Sequence, residues 1–95
     1  MLGVVATLKI KPGMEKQFEA VAKELVAKVN ASEPGCKLYA LHTGETAGTY
    51  VFMERYVDQA AVEAHRATEH FKSLGRKMGE CMDGRPEVLR LREVE

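Results

Sequence analysis

The stretch TYVFMERYVDQAAVEAH, residues 49–65, changes its period part-way along, and that change decides how the chain is built. TYVFMERYV, 49–57, holds three aromatic and three β-branched residues, the composition of a strand. Asp58 follows, a good helix N-cap, and QAAVEAHRA after it is good helix sequence. Thr68 is a second cap candidate. It predicts that one short helix ends there and another begins at Glu69, whose charge suits a helix N-terminus. Phe71, Leu74, Met78, Cys81 and Met82 then form an apolar stripe.

Upstream, GETAG at 44–48 is a short glycine-bounded loop, so CKLYALHTG at 36–44 and the strand at 49–57 read as an antiparallel hairpin. Phe18, Val21, Ala22, Leu25, Val26 and Val29 recur at three- and four-residue steps through 14–31, which predicts an amphipathic helix ended by Ser32-Glu33-Pro34-Gly35. GVVATLKIK, 3–11, alternates, with Val4, Ala6, Leu8 and Ile10 on the helix-facing side, and Pro12-Gly13 stops it. Downstream, Asp83-Gly84-Arg85-Pro86 breaks the last helix and EVLRLREVE, 87–95, is a final alternating strand. The order β-α-β-β-α(α)-β over residues 1–95 predicts one α+β, ferredoxin-like domain, a four-stranded antiparallel sheet with helices on one face.

Such a sheet leaves its other face uncovered. The strand at 49–57 turns either Val51, Met53 and Val57 or Tyr50, Phe52 and Tyr56 outward, and neither set belongs in water. A second copy of the chain would bury it, so a homodimer is expected. A chain of 95 residues buries little of its surface alone, and a formal charge of zero does little to hold copies apart.

Lys+Arg and Asp+Glu number 14 each, which argues against a nucleic-acid binder with a basic face. The apolar fraction of 45% is that of a globular protein. No run approaches about 18 consecutive apolar residues, so no membrane span is expected, and the alternating start reads as a strand rather than a secretion signal. Cys36 and Cys81 form no CxxC pattern and read as free thiols of a cytoplasmic protein. No cluster offers three metal ligands at workable spacing, and GETAG lacks the helix and lysine of a nucleotide loop.

EPGC at 33–36, FMERYVDQAAVEAH at 52–65 and ATEHF at 67–71 together resemble the antibiotic biosynthesis monooxygenase family of the dimeric α+β barrel superfamily. Phe52, Glu54, Tyr56, Asp58, Ala61, His65, Thr68 and His70 stand at the family's pattern positions. Glu69 replaces the family's proline, and both suit the first turn of a helix. The resemblance implies a dimeric α/β barrel and a cofactor-independent oxygenase acting on a small quinol-like or polyhydroxy aromatic substrate with dioxygen. Two other branches resemble it. One isomerises a small phosphorylated hydroxyketone of the autoinducer-2 type, with Arg66, Lys72 or Arg76 available for the phosphate. The other degrades heme, but its asparagine, tryptophan and histidine places hold Ala6, Tyr56 and Gly75, which leaves the iron without its axial ligand. A non-catalytic ligand-binding dimer is a further reading, because one fold carries many activities.

The candidate catalytic residues are His65, His70 and Glu54. On one continuous helix, five residues turn the direction by about 140°, so the two imidazoles would diverge. A break at Thr68 lets both lean toward the mouth of one cavity. His65 is read as a general base for a substrate hydroxyl, since imidazole titrates nearest neutrality. Its competing reading is a buried helix residue bonded to a backbone carbonyl. Glu54 either fixes the histidine's tautomer, accepts a proton itself, or forms a structural ion pair with Arg90 or Arg92 or across the dimer. Tyr39, Phe52, Tyr56, Phe71 and Leu74 are the expected pocket walls, and His42 reads as a satisfied sheet histidine.

Overall fold

The alternating first segment becomes β1 (Leu2–Lys9), and Gly13, with φ of 88°, makes the turn that follows. A computed structural model describes all 95 residues, Met1–Glu95. The remaining elements are α1 (Glu15–Ser32), β2 (Cys36–Thr43), β3 (Thr49–Tyr56), α2 (Gln59–Ala67), α3 (Glu69–Cys81) and β4 (Glu87–Arg92). They form the expected α+β ferredoxin-like order. All pairings are antiparallel, in the spatial sequence β2-β3-β1-β4. The last strand stops at Arg92, short of the expected 95, because Arg92 already pairs with Leu2, the first residue of β1.

Register decides which side chains share a face. Val4 of β1 lies between Glu54 of β3 and Arg90 of β4, Ala6 between Phe52 and Val88, and Leu8 beside Tyr50. Alternation puts these on the helix side. The open question about β3 is thereby decided: Tyr50, Phe52 and Tyr56 face the helices and are buried, while Val51 and Met53 face away. Bulky aromatics fill the space under a helix layer better than the smaller set would.

Helix α1 buries Phe18, Ala22, Leu25 and Val29 completely, one residue per turn along a single stripe, and Val21 and Val26 flank it partly buried. Leu74, Met78 and Cys81 of α3 complete this core. Removing a ring such as that of Phe18 from a core costs about 3–5 kcal/mol. The helices pack on β2, β3 and each other, whereas every residue of β4 is exposed. That uneven cover leaves a trough between α2, α3 and the inner face of β4, and His65, Glu54 and several of the expected pocket walls line it.

Candidate functional site

Thr68 builds the site's local geometry. Its extended backbone, with ψ of 149°, ends α2 and starts α3. Its hydroxyl accepts from the amide of Phe71 at 3.2 Å and donates to the carbonyl of His65 at 2.8 Å, so one side chain serves both helix ends. Asp58 caps the other end of α2 by accepting from the amide of Ala61 at 2.9 Å. His65 and His70 therefore sit on two rigid helices joined by one bent residue.

The two histidines converge, but on Glu33 rather than on a cavity mouth. The Glu33 carboxylate accepts from Nδ1 of His65, at 2.9 Å to Oε1 and 3.1 Å to Oε2, and from Nε2 of His70, at 2.6 Å to Oε2. A close fit between chain segments holds Glu33 there. A Cβ at Gly35 would lie 2.7 Å from the Cβ of Ala61, so only glycine lets the Glu33–Cys36 turn dock on α2. The amide of Val57 also donates to the carbonyl of Gly35 at 2.9 Å. Ala61 and His65 lie four residues apart on one helical face, so one residue receives Gly35 and the other Glu33. In the sequence Glu33 belongs to the EPGC turn and carries no site role of its own. Its signal was the pairing of that turn with Ala-x-x-x-His.

A carboxylate only accepts, so the proton on His65 belongs to Nδ1 and its Nε2 carries the lone pair. Nε2 has no protein partner. No buried side-chain nitrogen or oxygen is left unpartnered, so Nε2 is open to the space it faces. That space is a cavity of about 260 Å³, slightly below the usual span of small-molecule pockets, roughly 300–1,000 Å³. Its lining is mainly hydrophobic. The His65 ring is enclosed by Phe71, Tyr39 and Tyr56, with ring centroids 4.7, 5.1 and 5.6 Å away. Burial pushes the His65 pKa below its ordinary value of 6.5 despite the opposing pull of Glu33. The ring is neutral near pH 7 and available as a proton acceptor.

Glu54 also lines the cavity, with no ion pair to Arg90 or Arg92. Its Oε1 accepts from the hydroxyl of Tyr56 at 2.5 Å. Burial raises its pKa, and the Tyr56 hydroxyl and Arg66 pull it back. The phenols of Tyr39 and Tyr56 are driven up by burial and then by the Glu54 charge, so both stay protonated. Cys36 is free, and burial with the nearby Glu33 pushes its thiol up to about 11, far from a thiolate nucleophile at neutral pH.

Of the expected site residues, His65, Glu54, Tyr39, Phe52, Tyr56 and Phe71 line this cavity. His70 does not. It binds the Glu33 carboxylate that also holds His65, and its side-chain hydrogen bonding meets the cavity-lining residues only through it. Leu74 departs from expectation as well, because it is rotated into the core shared with α1, leaving Phe71, Gly75 and Met78 to face the cavity. His42 lies exposed on β2, its Nδ1 3.3 Å from the carbonyl of Val51. Sequence reasoning gave no cavity role to Val62, Met82 and Val88, which complete the apolar walls, or to Arg90. No group of three or more His, Cys, Asp or Glu side chains is placed to hold a metal ion.

Comparison with known proteins bears on the same elements. The model of the antibiotic biosynthesis monooxygenase family matches residues 1–77, from β1 into α3, and so includes Glu33, His65 and His70. The chain belongs to that family. It is 28% identical over 90 residues to "Putative monooxygenase YcnE" of Bacillus subtilis strain 168, covering 95% of each chain. A crystal structure described as a putative antibiotic biosynthesis monooxygenase from Caulobacter crescentus CB15 superposes with a TM-score of 0.95 at 43% identity, over 99% of this chain and 90% of that one. PA3566 from Pseudomonas aeruginosa gives a TM-score of 0.88 at 28% identity, over 99% and 94%. High coverage of both partners in the two superpositions means that these structures share the whole fold.

Proposed function

We propose that this family member is a cofactor-independent monooxygenase of a small quinol-like aromatic compound, working as a homodimer, with His65 as its base. The observation that carries the reading is the free Nε2 of a neutral His65, held by Glu33 and facing an apolar cavity. A dihydroxyarene bound there gives a hydroxyl proton to Nε2, and Glu33 stabilises the imidazolium that results. Glu33 is thus a positioning residue, and His70 steadies it from the other side. The electron-rich phenolate reacts with dioxygen, and the overall balance is dihydroxyarene plus O2 giving hydroxyquinone plus water. The apolar walls exclude bulk water from the anion while Tyr39 and Tyr56 remain proton donors.

The homodimer is supported by the uncovered sheet face, where Leu89 is 60% and Leu91 50% exposed beside Met53 and Leu38. A shallow hollow on that face is bounded by Leu38, Met53 and Leu91.

Turnover of a reduced naphthoquinone tests the oxygenase. Its consumption should need dioxygen, with one O2 taken up per hydroxyquinone formed. Replacing His65→Gln should lower the rate on the order of 10²–10⁴-fold, the usual contribution of a positioned base, with the fold retained by circular dichroism. Equal consumption with and without oxygen removes the oxygenase reading.

A further inference from the structure

We infer that the cavity selects a hydroxyarene carrying an oxyanion substituent, a carboxylate or a phosphate ester, held between Arg66 of α2 and Arg90 of β4. The inference rests on the reading that a hydroxylated ring occupies this cavity, and it adds the charge of that ring's substituent.

Both arginines are among the residues lining the cavity, and both are exposed. Arg90 is there by register: it pairs with Val4, whose neighbour on the other side is Glu54, so all three share the helix-facing side. Neither arginine makes an ion pair or a side-chain hydrogen bond, whereas Arg55 on the opposite face is paired with Glu93 at 2.9 Å. Glu54 is the only carboxylate in the lining. Its Oε1 accepts from Tyr56, and its charge is felt by Arg66 without a direct ion pair to either arginine. Against two guanidiniums the lining sets one carboxylate, so a ligand carrying one further negative charge balances the pair. Eleven of the 17 lining residues are hydrophobic, and Arg66 and Arg90 are the only arginines or lysines among the rest. The planar guanidinium fork matches a carboxylate or phosphate edge in a way that an ordinary solvated lysine does not. An anion against Arg66 also offsets a charge that disfavours protonation of the neighbouring His65, so binding would prime the base.

Isothermal titration of the intact protein at low salt, with three redox-inert probes, tests this. 1-Hydroxy-2-naphthoate should bind about tenfold or more tightly than 1-naphthol, and the advantage should shrink as salt is added. Arg66→Gln and Arg90→Gln should each remove most of that advantage, read as the ratio of the naphthoate and 1-naphthol affinities within each variant. Arg76→Gln, outside the lining, should alter neither. 1-Naphthyl phosphate separates the two sources: binding tighter than the naphthoate assigns a phosphate ester, weaker binding a carboxylate. Equal affinity for 1-naphthol and the naphthoate overturns the anion site and leaves the hydroxyarene reading in place. An equal loss with Arg76→Gln overturns it too, by reducing the effect to overall charge. Failure of all three probes to bind overturns both readings.

Discussion

His65 illustrates how a single residue's environment sets its chemistry. Burial lowers its proton affinity and Glu33 partly restores it. Unfolded His65 takes up a proton below about pH 6.5, whereas the folded ring resists it. Its contribution to stability is therefore complete above that pH and is lost as the pH falls below it. Thermal melts between pH 7 and pH 5 should show the melting temperature dropping, with a smaller drop in His65→Gln. Glu33→Gln removes the charge that supports the imidazolium. In that variant the acid limb of kcat/KM should move to lower pH, and turnover should fall on the order of 10–10²-fold, as when the partner that orients a histidine is lost. An unmoved limb would show that Glu33 serves the fold alone.

At the scale of elements, Thr68 and the glycines of α3 separate structure from function. Thr68→Ala loses the α3 cap and the hydroxyl that donates to His65, and should cost about 1 kcal/mol in chemical denaturation. Gly75 and Gly79 both lie in α3, and a Cβ at either meets nothing within 4 Å. Glycine in a helix interior costs roughly 0.5–1 kcal/mol relative to alanine. Both Gly75→Ala and Gly79→Ala should therefore stabilise the protein. Only Gly75 lines the cavity. Gly75→Leu should weaken binding of a naphthol probe, while Gly79→Leu should leave it unchanged. Equal effects at the two positions would place the ligand elsewhere. The helix break at Thr68 was legible beforehand because capping is local chemistry. The exclusion of Leu74 from the cavity was not, since a helical stripe names a buried face without saying which neighbour, α1 or the trough, lies against each residue.

At the scale of the molecule, only 14 of 95 residues are buried, few for a chain that must stay folded alone. The exposed sheet face offers the missing burial. Fully covering a leucine contributes about 1.5–3 kcal/mol, and Leu89 and Leu91 are the most exposed leucines on that face. Sedimentation should give twice the chain mass of 10.6 kDa. The double variant Leu89→Glu, Leu91→Glu should sediment as a monomer and melt at lower temperature. A monomeric wild-type protein would refute the assembly.

Element order, the alternating strands, the cap at Thr68 and the family pattern were all present in the sequence by itself, because period and capping depend on residues within a turn or two of each other. The tertiary structure alone decided three things: which face of β3 turns to the helices, that His65 and His70 share Glu33, and that Arg66 and Arg90 border one cavity. Glu33 lies 32 residues from His65 and 37 from His70. Contacts at such separations are set by how α2, α3 and the Glu33 turn pack together. No local rule encodes them, and a carboxylate reads as a turn residue until the histidines come within reach.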